Sequence, residues 1–254
     1  MAGFTALVLA GKRSQSGDGL NTDNTLKASM AMFGVPMIDR VIASLKASKY
    51  IERIVVCGPH ELGNWPDVTF FPVSASPARS FLAFLESQAD VVPLIVTTAD
   101  HALLTPEMVD HFCEKTLSQG TDLTIGMANK KMILEAYPRT TRTGFQFRDG
   151  TWSSCNLFGV MSHKVATAIH FWGFVEQNRK KPWKVVGAFG WLTLLGVLLR
   201  VWTVHTALRH GGARFGITVS PVIMPWAQAA IDVDTIGDKS LAESILASRA
   251  LPAA

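Results

Sequence analysis

The stretch ALVLAGKRSQSGDGLNTDNTLKASM, residues 6–30, joins a short apolar run to a long polar loop. The apolar run stops at Gly11, and about fifteen mostly polar or small residues follow it. A loop of small residues after a strand can wrap its backbone N–H groups around phosphate oxygens, and Lys12, Arg13 and Lys27 add positive charge. The loop has neither the P-loop spacing nor a G-x-G-x-x-G pattern. Its spacing alone therefore leaves two interpretations, a phosphate-binding loop or a plain surface loop.

Strand-like and helix-like segments alternate along the first half of the chain. The patterns predict buried strands at 5–10, 53–58, 92–100 and 122–128, separated by amphipathic helices at 36–48, 76–88 and 105–120. Ser76 and Thr105 are typical N-caps, each followed by proline, and Gly120 is typical of the position after a helix end. This alternation predicts an α/β fold with a mostly parallel sheet covered by helices on both faces. Such sheets bind ligands beyond the carboxyl ends of their strands, where the opening loop and Asp100 both fall.

The second half of the chain is less regular. Residues 137–160 contain turn signals at Gly144 and at Asp149-Gly150, between short β-like runs. Residues 185–199 are a fifteen-residue apolar stretch, shorter than the roughly 20 residues of a membrane-spanning helix. We expect a buried or half-buried helix there. Docking at a membrane surface is the alternative, because the basic segment RKKPWK directly precedes the stretch.

Charge and cysteine usage restrict the class of protein further. The net charge of +4 and a pI near 9.1 favour phosphorylated small molecules or an anionic membrane surface and do not argue for nucleic acid. The N-terminal run is interpreted as a buried strand, not as a signal peptide. The seven histidines show no metal-ligand pattern. The three cysteines lack disulfide or zinc-ligand spacing, and we therefore expect a cytoplasmic protein. The cysteines are Cys57, Cys113 and Cys155.

Three ordered motifs resemble the nucleotidyltransferases of the glycosyltransferase-A-like superfamily, and the MobA-like NTP transferases in particular. The opening signature of that group is roughly L-A-G-G-x-G-x-R, then a lysine, then G-x-P-[ML] at the start of a helix. Lys12 stands where the group usually has its second glycine, and the positions that match are Leu9, Ala10, Gly11, Arg13, Lys27, Gly34, Pro36 and Met37. The strand that ends at Asp100 before a T-P-E helix also resembles the group, as does DVDTIGDKSLAE near the end of the chain.

The resemblance implies a three-layer α/β sandwich of the glycosyltransferase-A-like type, with a mostly parallel central sheet and an inserted α+β subdomain. It implies a single nucleotidyltransferase domain over residues 1–254. In this division residues 1–128 bind the nucleotide, residues 129–227 form an acceptor-binding insertion with the apolar helix, and residues 228–254 add a closing strand and helix.

The resemblance also implies the chemistry, in which a phosphate monoester attacks the α-phosphorus of a nucleoside triphosphate and pyrophosphate leaves. Asp100 would bind Mg²⁺, and a carboxylate beyond a strand end is a suitable hard oxygen ligand. Asp232 and Asp234 compete for the second ligand position, because residues two apart in an extended segment face the same side. Arg13 and Lys27 would neutralise the β- and γ-phosphates. The positions implied to bind the nucleotide are Leu9, Ala10, Gly11, Lys12 and Ser80.

The acceptor is less constrained by the sequence. Arg139 and Arg142, three residues apart in a polar stretch, are candidates for binding its phosphate group. The apolar stretch and its basic flank favour a lipid-like phosphate, with CTP as donor and peripheral membrane contact through residues 179–200. A molybdenum cofactor guanylyltransferase that uses GTP is the alternative. A glycosyltransferase of the same fold and a non-catalytic nucleotide sensor are the other classes, and the oligomeric state is left open.

Overall fold

A computed structural model describes residues 3–11, 26–178, 196 and 200–250. Lys12, Arg13 and most of the segment 179–199, including its apolar stretch, lie outside the described residues. The strands are β1 (Phe4–Leu9), β2 (Ala31–Met32), β3 (Val35–Pro36), β4 (Ile51–Cys57), β5 (Val68–Phe71), β6 (Leu94–Thr98), β7 (Leu123–Asn129), β8 (Phe145–Phe147), β9 (Gly150–Val160) and β10 (Val219–Ile223). The helices are α1 (Met37–Lys46), α2 (Pro77–Ser87), α3 (Pro106–Gln119), α4 (Lys130–Ala136), α5 (Ala166–Asn178), α6 (Val204–Ala213) and α7 (Ile236–Ala250).

The central sheet is mostly parallel, as the sequence predicts. Its order is β10-β7-β9-β6-β1-β4-β5, with β8 paired to β9 outside this path. Strand β9 is antiparallel to its neighbours β6 and β7, while β1 is parallel to both β4 and β6. The carboxyl ends of β1 and β6 therefore lie side by side at one edge of the sheet.

Helices cover both faces of the sheet and complete a three-layer sandwich. Along β1, Ala6 and Val8 face one layer while Leu7 faces the other, because successive side chains of a strand point to opposite faces. The first layer contains α1 and α3, and the second contains α2, α5 and α6. The predicted fold class is confirmed, and the predicted helix caps are in place: Ser76 and Thr105 each accept a backbone N–H of the first turn, and Gly120 ends α3 in the left-handed conformation.

The predicted closing strand is wrong. Residues 231–234 are extended but pair with no strand in the described part of the chain; they follow a short 3₁₀ turn at Ala227–Ala230 and lead into α7. The alternating pattern of this segment reflects its packing, since Ile231 and Val233 are buried whereas Asp232 and Asp234 face the edge of the sheet. Within the region predicted as an insertion, β9 and β10 join the central sheet directly. No helix in the described ranges is long and apolar enough to cross a membrane.

Candidate active site

Three chain segments meet at the edge of the sheet where β1 and β6 end. Ala10 and Gly11 follow β1, and Asp100 follows β6. The extended segment 231–234 lies against Asp100, because the N–H of Val233 donates to the Asp100 carbonyl at 3.1 Å. This backbone contact places Asp232 and Asp234, on either side of Val233, beside the Asp100 side chain.

The three aspartates predicted as metal ligands form one cluster. Asp100, Asp232 and Asp234 each offer a carboxylate oxygen, and these oxygens all lie within 4.8 Å of one another. Each side chain is partly exposed at the edge of the sheet. Hard carboxylate oxygens at this spacing suit Mg²⁺ or another divalent cation, so the donor set fits the metal that the family resemblance implies.

Lys27 reaches the same cluster from a 3₁₀ turn at Lys27–Ser29. Its Nζ donates to Asp100 Oδ2 at 2.6 Å and to Asp234 Oδ1 at 2.5 Å. Burial opposes the charged form of this lysine, but the Asp100 and Asp234 carboxylates outweigh burial and raise its pKa. Lys27 is therefore held as an ammonium ion at the centre of the predicted phosphate and metal site.

Asp232 is partly buried and has fixed partners on both oxygens. Arg142 pairs with Oδ1, and the side-chain amide of Asn156 donates to Oδ2 at 2.9 Å. Burial raises the pKa of Asp232, and the neighbouring Asp100 carboxylate adds to this effect while Arg142 opposes it. Arg142 also pairs with Asp238 in the first turn of α7.

Carboxylates are the most numerous charged groups of the described cluster. Lys27 and Arg142 supply two positive charges, while four carboxylates supply four negative charges: Asp100, Asp232, Asp234 and Asp238. Carboxylate oxygens gathered in this way are the ligands that a divalent cation such as Mg²⁺ prefers.

His101 follows Asp100 but is buried beneath the edge of the sheet. Its Nδ1 lies 3.5 Å from Thr97 Oγ1, and only 1% of the residue is exposed. Burial lowers the pKa of His101 to about 4, although the Asp100 carboxylate favours the charged ring. His101 is consequently neutral at physiological pH and supports the turn that carries Asp100.

The predicted nucleotide-binding residues of the described chain lie along β1 and at the start of α2. Leu9 and Ala10 are tied to the sheet, since Ala99 N donates to Leu9 O and Ala10 N donates to Cys57 O. A Cβ added to Gly11 would lie 2.9 Å from Val73 Cγ1, so the chain passes closely beneath the loop before α2. Ser80 is buried, and its hydroxyl accepts the Ser74 N–H at 2.9 Å, which holds this loop in place.

The two predicted acceptor-binding arginines are in different environments. Arg139 is exposed, whereas Arg142 has a 10% exposed side chain that contacts Asp232 and Asp238. A groove of about 810 Å³ lies beyond the end of β7, with Lys130 and Lys131 among its lining residues. The structure thus brings Arg142 to the aspartate cluster and leaves Arg139 apart from it.

Asn156 and Asp238 belong to the cluster, although the sequence analysis assigned neither of them to the site. Asp238 forms a reciprocal cap with Thr235, whose Oγ1 accepts the Asp238 N–H at 3.1 Å, and it also pairs with Arg142. The T-x-x-D spacing gives that signal in the sequence. Asn156 lies in the middle of β9, and no local pattern marks it as a partner of Asp232.

The fold and this edge of the sheet define the class of protein. Open α/β sheets bind nucleotides and other ligands beyond the carboxyl ends of their strands, and there this sheet gathers a lysine and three carboxylates, beside β1 and β6. A family model described as a MobA-like NTP transferase domain matches residues 6–230. The chain therefore belongs to this family and is a nucleotidyltransferase. A search of functionally curated proteins found no match to the chain.

Solved structures share the fold at low sequence identity. A hypothetical transferase from Thermus thermophilus is 23% identical, with a TM-score of 0.76 over 93% of this chain and 99% of that one. A CMP:2-keto-3-deoxy-manno-octonic acid synthetase complexed with CTP is 10% identical, with a TM-score of 0.58 over 98% of this chain and 100% of that one. A 4-diphosphocytidyl-2C-methyl-D-erythritol synthase from Anaerococcus prevotii is also 10% identical, with a TM-score of 0.56 over 97% and 99%.

Proposed function

We propose that the chain transfers a nucleoside monophosphate from a nucleoside triphosphate to a phosphorylated acceptor and releases pyrophosphate, with Mg²⁺ as cofactor. The observation that supports this most directly is the cluster of Asp100, Asp232 and Asp234, whose ligand oxygens lie within 4.8 Å of one another. The cluster stands beside the end of β1, where the family resemblance implies the triphosphate.

The reaction makes limited demands on the protein. An oxygen of the acceptor phosphate attacks the α-phosphorus, a new P–O bond forms, and the bond between the α-phosphorus and the bridging oxygen breaks to release pyrophosphate. The nucleophile is already an anion, so alignment and charge neutralisation supply the catalysis. A bound Mg²⁺ would screen the charge on the transferred and leaving phosphates. Arg13 and Lys27 would neutralise the β- and γ-phosphates.

CTP is the favoured donor. Two of the similar structures are named for cytidylyl products or bound CTP, which supports a cytosine base here at the level of the fold. GTP is the alternative, as in a molybdenum cofactor guanylyltransferase, because the family description is MobA-like. In either case the phosphates would lie against Leu9, Ala10, Gly11 and Lys12, and Ser80 would act at the base side of the site.

The acceptor would approach from the β7 side of the sheet. Arg139 remains a predicted ligand of its phosphate, whereas the guanidinium of Arg142 is paired with Asp232 and Asp238. The groove beside Lys130 has room for the rest of the molecule. The apolar residues 185–199 and the basic segment before them support a lipid-like phosphate and peripheral contact with the inner face of a cytoplasmic membrane. A deletion of residues 185–199 that left acceptor use unchanged would refute the lipid-like acceptor.

Magnesium-dependent pyrophosphate release tests the proposal directly. Each of the four ribonucleoside triphosphates is combined with a panel of soluble and lipid phosphates, with the Asp100→Ala variant as control. Release with one pair, abolished in the variant, identifies donor and acceptor together. Binding of a triphosphate without turnover across the panel would favour a sensor. Hydrolysis of a nucleotide sugar without pyrophosphate release would favour a glycosyltransferase.

A further inference from the structure

The carboxylate of Asp232 is fixed at both oxygens by side chains that neither the family resemblance nor the reaction assigns to it. Arg142 Nη1 pairs with Oδ1 and Asn156 Nδ2 donates to Oδ2 at 2.9 Å. Arg142 Nη2 also donates to the Asp232 backbone carbonyl at 2.8 Å. A carboxylate held at both oxygens and at its own backbone has one orientation, which determines where its remaining lone pairs point.

Arg142 is itself anchored to the start of α7. Its Nη2 pairs with Asp238 Oδ1, while Asp238 Oδ2 accepts the Thr235 N–H at 3.0 Å and the Thr235 hydroxyl at 2.8 Å. The guanidinium is therefore enclosed between two carboxylates and a carbonyl. This environment differs from that of Arg139, which is exposed.

Asn156 reaches Asp232 because β9 bulges at that point. Ile125 of β7 pairs with Phe158 of β9, but Met127, two residues further along β7, pairs with Ser154, which is four residues away along β9. The register therefore shifts here, and the extra residues of β9 form the bulge. Asn156 has a φ of 50°, a left-handed conformation that asparagine tolerates better than most residues. Bulges of this kind re-aim a side chain at the end of a sheet, and here the amide is directed to the aspartate cluster.

We propose that Arg142 and Asn156 are positioning residues that orient Asp232 toward a cation shared with Asp100 and Asp234. This inference rests on the proposed function, because it needs the aspartate cluster to bind the metal. Partners that hold a metal ligand from outside the coordination sphere commonly change metal affinity by about tenfold or more when they are lost. The role differs from the acceptor-phosphate contact that the sequence predicts for Arg142.

Two variants isolate the positioning effect. Asn156→Gly keeps a residue that accepts the left-handed backbone and removes only the amide. Arg142→Lys removes the forked guanidinium but keeps the positive charge, so the net charge of the aspartate cluster and its partners stays the same. Arg139→Lys is the matched control, since the same change is made three residues away at an exposed position.

The experiment measures Mn²⁺ binding to the nucleotide-free protein from the loss of the free-ion electron paramagnetic resonance signal. We expect about tenfold weaker binding in Asn156→Gly and in Arg142→Lys, with Arg139→Lys unchanged. In the pyrophosphate assay, the Mg²⁺ concentration for half-maximal rate should rise in the two variants, and saturating Mg²⁺ should restore most of the turnover.

Several outcomes would overturn the inference. The positioning role would be rejected if both variants bound Mn²⁺ with wild-type affinity. It would also be rejected if Arg142→Lys raised the KM for the acceptor while its Mn²⁺ binding was unchanged. Either result would leave the proposed transferase activity intact. Unchanged Mn²⁺ binding in Asp232→Asn would reject Asp232 as a ligand and the inference with it. Failure of the proposed function is seen separately, as absence of pyrophosphate release by the wild-type protein across the substrate panel.

Discussion

The ammonium group of Lys27 and a divalent cation require the same oxygens. Lys27 Nζ lies 2.6 Å from Asp100 Oδ2 and 2.5 Å from Asp234 Oδ1, two of the three aspartates that would bind the metal. A triphosphate offers this lysine other anionic partners. The nucleotide and the cation should therefore each favour the binding of the other.

Replacing Lys27 by methionine should change two measurements in opposite directions. Loss of the ammonium removes a competitor of like charge, so Mn²⁺ should bind the nucleotide-free protein several-fold more tightly, an effect on the order of 1 kcal/mol. Pyrophosphate release should fall by about 10²–10³-fold, because charge on the phosphates is no longer neutralised. Lys115→Met, at an exposed lysine of α3, should change neither value. Unchanged Mn²⁺ affinity in Lys27→Met would contradict the competition.

His101 should make the fold sensitive to mild acid. Its pKa is about 4 in the folded protein because of burial, against an ordinary value of 6.5. The unfolded chain therefore binds the proton first, and the free energy of unfolding falls as the pH is lowered from 6.5 toward 4. The full effect is about 3 kcal/mol. Urea unfolding at pH 7 and pH 4.5 measures it, and a His101→Gln variant with the same pH dependence as wild type would refute it.

At the level of single elements, the start of α7 connects stability to the candidate site. Thr235 and Asp238 cap the helix reciprocally, and Asp238 also holds Arg142. Thr235→Ala should lower the free energy of unfolding by about 1 kcal/mol, because a capping hydroxyl is lost. Thr235→Ser keeps the hydroxyl and should behave like wild type. Equal urea midpoints for all three proteins would show that the cap contributes nothing to stability.

Elements with their own local signals could be predicted from the sequence. Helices α2 and α3 carry an N-cap, a proline and an apolar stripe, and each forms within a residue or two of its predicted bounds. The segment 231–234 has the alternation of a strand, but alternation reports only which side chains are buried. Whether a neighbouring strand exists depends on the rest of the fold, and here the adjacent chain is the turn that carries Asp100.

At the scale of the whole molecule, the candidate site depends on contacts between residues far apart in the chain. Lys27 meets Asp234 across 207 positions, and Asn156 meets Asp232 across 76. The family signature predicted Lys27, Asp100, Asp232 and Asp234, since each belongs to a motif. Asn156 could not be predicted because its orientation depends on a bulge in β9, which is a property of strand pairing.

Strand β9 lies between β6 and β7 in the sheet, and its backbone packs closely against neighbouring side chains at Gly159. A methyl group at Gly159 would lie 2.8 Å from Thr116 Cγ2 of α3 and closer still to Thr124 Oγ1 of β7. The hydroxyls of these two threonines form a buried hydrogen bond of 2.7 Å between α3 and β7. Gly159→Ala should therefore lower the free energy of unfolding by about 1–3 kcal/mol, as overpacking of a core does.

The control for Gly159→Ala is the same substitution at a glycine with free space. Gly211 lies in α6, where an added Cβ would meet nothing within 4 Å. Gly211→Ala should leave stability unchanged or raise it by about 0.5–1 kcal/mol, since alanine is the better helix former. Urea unfolding followed by circular dichroism and by tryptophan fluorescence compares the two variants. If Gly159→Ala were as stable as Gly211→Ala, the prediction that close packing of β9 against α3 and β7 limits the size of residue 159 would be wrong.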